Sequence, residues 1–137
     1  MTPGGSTKRP RVAVTALKRQ QIERAIELYL RECYRNETVA RVSELADRLG
    51  ANRPYLSHLV ASVLGKSLGD ALQERQLSYA AHLLGTTALR MHEIAAKAAF
   101  GTERTFFRAF KRSYGETPGA YRKKNNQMSV DDGRMSR

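Results

Sequence analysis

Met91-His92-Glu93-Ile94-Ala95-Ala96-Lys97-Ala98-Ala99-Phe100, Gly101-Thr102-Glu103-Arg104 and Thr105-Phe106-Phe107-Arg108-Ala109-Phe110-Lys111-Arg112-Ser113-Tyr114, closed by Gly115-Glu116-Thr117-Pro118, read as two helices joined by a tight turn. In the first helix Met91, Ile94, Ala95 and Ala98 recur at helical spacing until Gly101 breaks the pattern. Thr102 offers an N-cap hydroxyl, Glu103 stands in the first turn where the helix dipole favours a carboxylate, and Gly115 supplies a C-terminal stop. With Phe106 placed at the pole of the second helix and about 100° allowed per residue, Ala109, Phe110 and Ser113 fall on its side. Arg104, Arg108 and Lys111 fall opposite, so one face is core and the other a basic ridge. On a solitary helix such a ridge is as readily a solvated face. On the second helix of a helix-turn-helix it fits the major groove, where Arg pairs with guanine edges or phosphates.

The same pattern occurs earlier in the chain. Leu45-Ala46, Leu49-Gly50, Leu56, Leu59-Val60, Gly65 and Ser67 correspond to Ile94-Ala95, Ala98-Ala99, Phe106, Ala109-Phe110, Gly115 and Thr117. The offset is 50 residues from Leu56 onward and 49 before the turn, so the second turn is one residue longer and the chain is a tandem repeat of one supersecondary unit. The expected fold is all-α, with two helix-turn-helix subdomains joined by a long linker helix.

The segment 1–14 has Pro and Gly punctuation with Lys8, Arg9 and Arg11, and is expected to be a disordered basic arm. The first helix-turn-helix subdomain is placed at 15–66. It opens with a helix over Thr15–Asn36 whose apolar stripe is Ile22, Ala25, Ile26, Tyr29, Leu30 and Cys33. Ser43 is expected to cap the next helix. Asn52 caps the one after, with Pro54 in its first turn, and its outward side carries Arg53, Pro54, Ser57, His58 and Ala61. The linker helix is placed at 67–85, capped by Ser67 and terminated by Gly85-Thr86-Thr87, with Ala71, Leu72, Leu77, Ala80, Ala81 and Leu84 buried. It should act as a strut of roughly 25 Å at about 1.5 Å per residue. The second subdomain is placed at 86–125 and ends in a short helix opened by Thr117-Pro118, which buries Tyr121 and exposes Arg122, Lys123 and Lys124. A disordered tail is expected over 126–137.

Twenty-four Lys and Arg against 13 Asp and Glu give a formal charge of +11, which favours a polyanionic partner over a membrane surface. Nothing approaches 18 consecutive apolar residues, and no apolar stretch follows the basic N-terminus, so a soluble, unexported, cytoplasmic and nucleoid-associated protein is expected. Cys33, the single cysteine, leaves no intrachain disulfide and no thiolate cluster, and is expected to be a small core residue. His58, His82 and His92 lack a neighbouring cysteine, a carboxylate at ligand spacing or a serine elbow; neither catalysis, a metal nor a cofactor is expected. RNA binding is disfavoured by the lack of a stacking sheet or a KH-type glycine loop.

These residues resemble the DNA-binding domain of the AraC/XylS transcriptional regulators. The resemblance is carried by Glu44-Leu45-Ala46, Tyr55-Leu56-Ser57-His58-Leu59, Gly65-Lys66-Ser67-Leu68, Arg75-Gln76-Leu77, Glu93-Ile94-Ala95, Phe106-Phe107-Arg108-Ala109-Phe110-Lys111 and Gly115-Glu116-Thr117-Pro118-Gly119-Ala120-Tyr121-Arg122, and spans about residues 15–124. It implies a sequence-specific regulator of transcription, with activation the expected sign, that inserts two second helices into successive major grooves of double-stranded DNA. The reading positions it implies are Arg53, Pro54, Ser57 and His58 in the first helix and Glu103, Arg104, Thr105 and Arg108 in the second; the basic ridge adds Lys111. Ala99 stands where the family has glycine and is expected to keep φ below zero. Gly101 replaces an acidic residue. Two unlike readers in one chain suggest a monomer on an asymmetric site, its elements about one turn, roughly 34 Å, apart. RNA polymerase is a second candidate partner, and an adapter with degenerate helix-turn-helix units is the alternative.

Overall fold

The computed structural model describes the backbone of residues 3–50 and 52–135 and the side chains of 18–50 and 52–126. The expected arm over 1–14, and the expected tail over 126–137 apart from residue 126, fall outside the residues with described side chains. The helices are α1 Pro3–Asn36, α2 Val42–Leu49, α3 Arg53–Leu64, α4 Leu68–Thr86, α5 Met91–Lys97, α6 Glu103–Tyr114 and α7 Pro118–Met135. Among the described residues there is no strand, as the capped periodic segments require. The chain divides into two compact units, one of Met1–Glu32 with Arg41–Leu72, the other of Cys33–Ala40 with Gln73–Arg137.

In the first unit the α1 stripe buries Ile22, Ile26, Tyr29 and Leu30 with Leu45 of α2 and Leu56 and Val60 of α3. Polar anchors hold the surrounding backbone. Tyr29 donates its hydroxyl to Glu44 Oε1 at 2.5 Å and accepts the Arg41 N–H at 2.9 Å. That bond explains why Ser43 is not the cap of α2. The chain is already turned at Arg41, whose carbonyl accepts from the N–H of Glu44 and of Leu45, so the helix begins at Val42 and Ser43 sits inside its first turn. Arg48 lies over the Tyr29 ring, 5.0 Å from its centroid, and donates to Glu32. Arg19 donates to the Val63 carbonyl at 2.7 Å, near the end of α3. The Asn52 and Ser67 caps form as the sequence predicts, accepting from the N–H of Tyr55 and of Asp70.

The second unit is built on Phe106 and Phe110, both fully buried, with Leu77, Ala80 and Leu84 of α4 and Ile94 and Ala95 of α5. Phe110 stacks on Tyr114 at 4.3 Å and meets Tyr121 edge-on at 5.4 Å; such pairs add about 0.5–1.5 kcal/mol beyond burial. Burial, and then the neighbouring Tyr121, raise the Tyr114 phenol above its ordinary pKa. Tyr34 stacks on Tyr79 at 4.4 Å, and there too burial raises the phenol pKa, with Tyr79 adding to it. Ser113, expected on the core side of α6, is exposed, because the buried face narrows after Phe110 and Tyr114 covers it from the flank.

Two further expectations are corrected. Arg122 is not a solvated cation: it donates Nε to the Leu84 carbonyl, Nη1 to Leu89 and Nη2 to Thr87, at 2.7–3.1 Å. A planar guanidinium with five donors suits this role, gathering one carbonyl from the last turn of α4 and two from the segment that follows it. Gly85 stays helical, outside the set of positive-φ glycines, and the helix runs on to Thr86. Finally, Ala99 has φ +67, the left-handed conformation that Gly50 adopts at φ +72 in the first turn. An L-residue there costs roughly 1–2 kcal/mol. The conformation follows from how α5 ends, since the N–H of Phe100 and of Gly101 both turn back to the Ala95 carbonyl, at 2.9 and 3.3 Å.

Two expectations follow for stability, measured by urea denaturation. Arg122→Ala should lose about 2–4 kcal/mol by stranding three carbonyls, and Arg122→Lys, which lacks the fork, should recover less than half of it. Gly101 has φ +89, and a β-carbon there would lie 2.9 Å from Val39 Cγ2, whereas one on Gly50 would meet nothing within 4 Å. Gly101→Ala should therefore cost about 2–4 kcal/mol, against about 1–2 for Gly50→Ala.

Candidate nucleic-acid interface

In the first unit α3 starts cleanly because Asn52 caps it and Pro54 occupies its first turn. Burial of Leu56, Val60 and Val63 fixes its rotation, and Arg53, Pro54, Ser57 and His58 are all exposed. Tyr55 belongs with them. It is 51% exposed at the same helix end, and Lys18 of α1 donates to its hydroxyl at 3.4 Å. The sequence reading passed over both residues: Tyr55 sits in line with the apolar run that continues α3, and nothing local ties Lys18 to a residue 37 positions away.

In the second unit the Thr102 hydroxyl accepts the Thr105 N–H at 3.2 Å and bonds the Thr105 hydroxyl at 3.0 Å. Thr105 is thus partly committed to the cap. Arg104, Arg108 and Lys111 are exposed on the side away from Phe106 and Phe110, and Glu103 and Thr105 are exposed in the first turn of the helix. Among the described residues Arg104, Arg108 and Lys111 make no ion pair, while the neighbouring Arg112 donates to Gln73 Oε1 at 3.2 Å. Phe107, Arg108, Lys111, Arg112 and Thr117 border an open groove of about 500 Å³ along this flank. The predicted positions are thus exposed in each unit, and the exposed side of α6 is the more basic. Among the described residues no cluster of His, Cys, Asp or Glu could hold a metal, and no helix is long and apolar enough to cross a membrane.

A capped helix, a tight left-handed turn and a second helix with a buried apolar face and an exposed polar one, present twice, define a helix-turn-helix protein. The family model described as a helix-turn-helix domain matches residues 45–124, and the chain belongs to the AraC/XylS family of helix-turn-helix transcriptional regulators. It is 32% identical over 82 residues to the right origin-binding protein of Escherichia coli K-12, an alignment covering 60% of this chain and 28% of that protein. It is 38% identical over 73 residues to the F1 operon positive regulatory protein of Yersinia pestis, covering 53% of this chain and 24% of that one. The chain thus spans about a quarter of the length of these relatives. Its fold matches the C-terminal domain of AraT, a response regulator from Geobacillus stearothermophilus, with a TM-score of 0.65 and 30% identity over 75% of this chain and 84% of that one.

The exposed cations on α6 give a direct expectation. Arg108→Ala should weaken duplex binding by about 1–3 kcal/mol in an anisotropy titration. Its urea midpoint should hardly move, because substitutions on an uncommitted surface stay within roughly 0.5 kcal/mol.

Proposed function

We propose that this chain binds double-stranded DNA sequence-specifically and thereby regulates transcription, with α3 and α6 entering successive major grooves. The observation that carries the proposal is the α6 face: Arg104, Arg108 and Lys111 are exposed and free of ion pairs among the described residues, on a helix whose opposite side is locked by Phe106 and Phe110. A formal charge of +11 supplies long-range attraction to phosphate. The two readers divide the work. Arg104 and Arg108 contribute charge-assisted contacts to guanine edges or phosphates, with Lys111 beside them; Glu103 and Thr105 sit at the helix tip. The first reader, with Arg53, Pro54, Ser57 and His58, contributes shape and hydrogen-bond selectivity.

Because the two faces differ, one chain should read an asymmetric site as a monomer. Activation is the sign we favour, in keeping with the name of the Yersinia pestis relative, and RNA polymerase is then the natural second partner in the cytoplasm. An adapter with degenerate helix-turn-helix units would lack the salt response of a phosphate-binding protein.

Selection of duplexes from a random pool, followed by titration, tests this. The expected result is a non-palindromic site bound at one chain per duplex, with affinity falling steeply between about 50 and 200 mM salt. Binding that ignores salt, or a palindromic site holding two chains, would refute it.

A further inference from the structure

The second turn holds an alanine in a backbone conformation that the first turn gives to glycine, and three sequence-distant residues converge on it. Gln76, on α4, is 5% exposed, the one buried side chain among the described residues that carries an amide or a charge. Its amide nitrogen donates to the carbonyls of Ala98 and Ala99, each at 3.1 Å. The Ala40 N–H donates to the same Ala99 carbonyl at 3.0 Å. Val39 Cγ2 lies over Gly101, close enough that a β-carbon there would come within 2.9 Å. Residues 33–40 thus belong to the second unit although they precede the first helix-turn-helix in sequence. Gly50, in the first turn, has open space where its β-carbon would be.

We infer that Gln76 is a positioning residue for DNA reading: its two donated hydrogen bonds, with the Val39–Ala40 strap, fix the turn from which α6 departs and so the aim of Arg104 and Arg108. A buried carboxamide is costly unless its donors are used, and here both amide hydrogens have a carbonyl. Strained backbone persists only where its surroundings over-determine it, and the converging bonds on Ala98 and Ala99 do that. Site geometry is held by the shell behind the contacting residues, so loosening this shell should blur base discrimination by α6 and leave α3 unaffected.

The inference rests on the proposal that α6 reads DNA, and one set of titrations separates the two. The selected duplex is footprinted with wild type and with an Arg104→Ala/Arg108→Ala variant, and the protection lost marks the α6 element. The full chain, Gln76→Met and Val39→Ala are then titrated against the intact duplex and against duplexes altered in either element, under conditions where circular dichroism shows each variant fully helical. Gln76→Met should bind the intact duplex about tenfold more weakly, the size of one lost base or phosphate contact. Changes in the α6 element should cost it far less than they cost wild type, and changes in the α3 element should cost both the same. Val39 is exposed, so Val39→Ala should fold regardless and show the same pattern more weakly, and it decides the matter if Gln76→Met unfolds. Wild-type discrimination retained at both elements, or lost equally at both, overturns the positioning role while leaving DNA reading intact. A wild type with no salt-sensitive duplex binding overturns both.

Discussion

The rotation of α6 about its own axis is the constraint from which the candidate site follows. Phe106 and Phe110 are fully buried, and two aromatic side chains one turn apart leave the helix a single face to bury. Removing either from the core would forfeit roughly 3–5 kcal/mol, far more than any surface charge contributes, so burial dictates which residues point outward. Arg104, Arg108 and Lys111 are exposed because the phenylalanines leave them nowhere else to go.

Packing sets rotation, but it does not set where a helix begins or what angle it leaves a turn at. Those are settled by hydrogen bonds to backbone groups at helix ends. Asn52, Ser67 and Thr102 accept from the N–H groups that a first turn leaves open. Arg122 closes the end of α4, Tyr29 fixes the entry to α2, and Gln76 holds the turn between α5 and α6. The caps are local in sequence. The anchors are not, and they lie in buried or half-buried surroundings where an unmade bond costs the most.

The two helix-turn-helix repeats show how one supersecondary unit can be adapted twice. Gly50 and Asn52 of the first turn are separated by one residue, while Ala99 and Thr102 of the second enclose Phe100 and Gly101. The extra residue lets Phe100 turn inward against Phe106, at 5.5 Å between rings, and leaves Gly101 under Val39, where no side chain fits. A longer turn with an alanine in the left-handed region would be a weak joint alone. Buttressed by Gln76 and Ala40, it is a fixed one.

How much of this was legible beforehand depends on the range of the interaction. The sequence by itself determined the Asn52, Ser67 and Thr102 caps, the repeat with its longer second turn, the inward phenylalanines and the outward positions Pro54, Ser57, His58, Arg104, Arg108 and Lys111, because each depends on spacings within one or two turns of helix. Only the tertiary structure decided that Ser43 yields the cap of α2 to Arg41, that Ala99 takes positive φ, that Arg122 clamps carbonyls instead of facing solvent, and that Lys18 reaches Tyr55. Three of these turn on a partner 12 to 38 residues away, Tyr29 for Arg41, Leu84 for Arg122 and Lys18 for Tyr55, and the turn at Ala99 is held from Gln76, 23 residues distant. Helical periodicity ranks a residue by the face it occupies; it carries no information about which distant donor or acceptor will be waiting there.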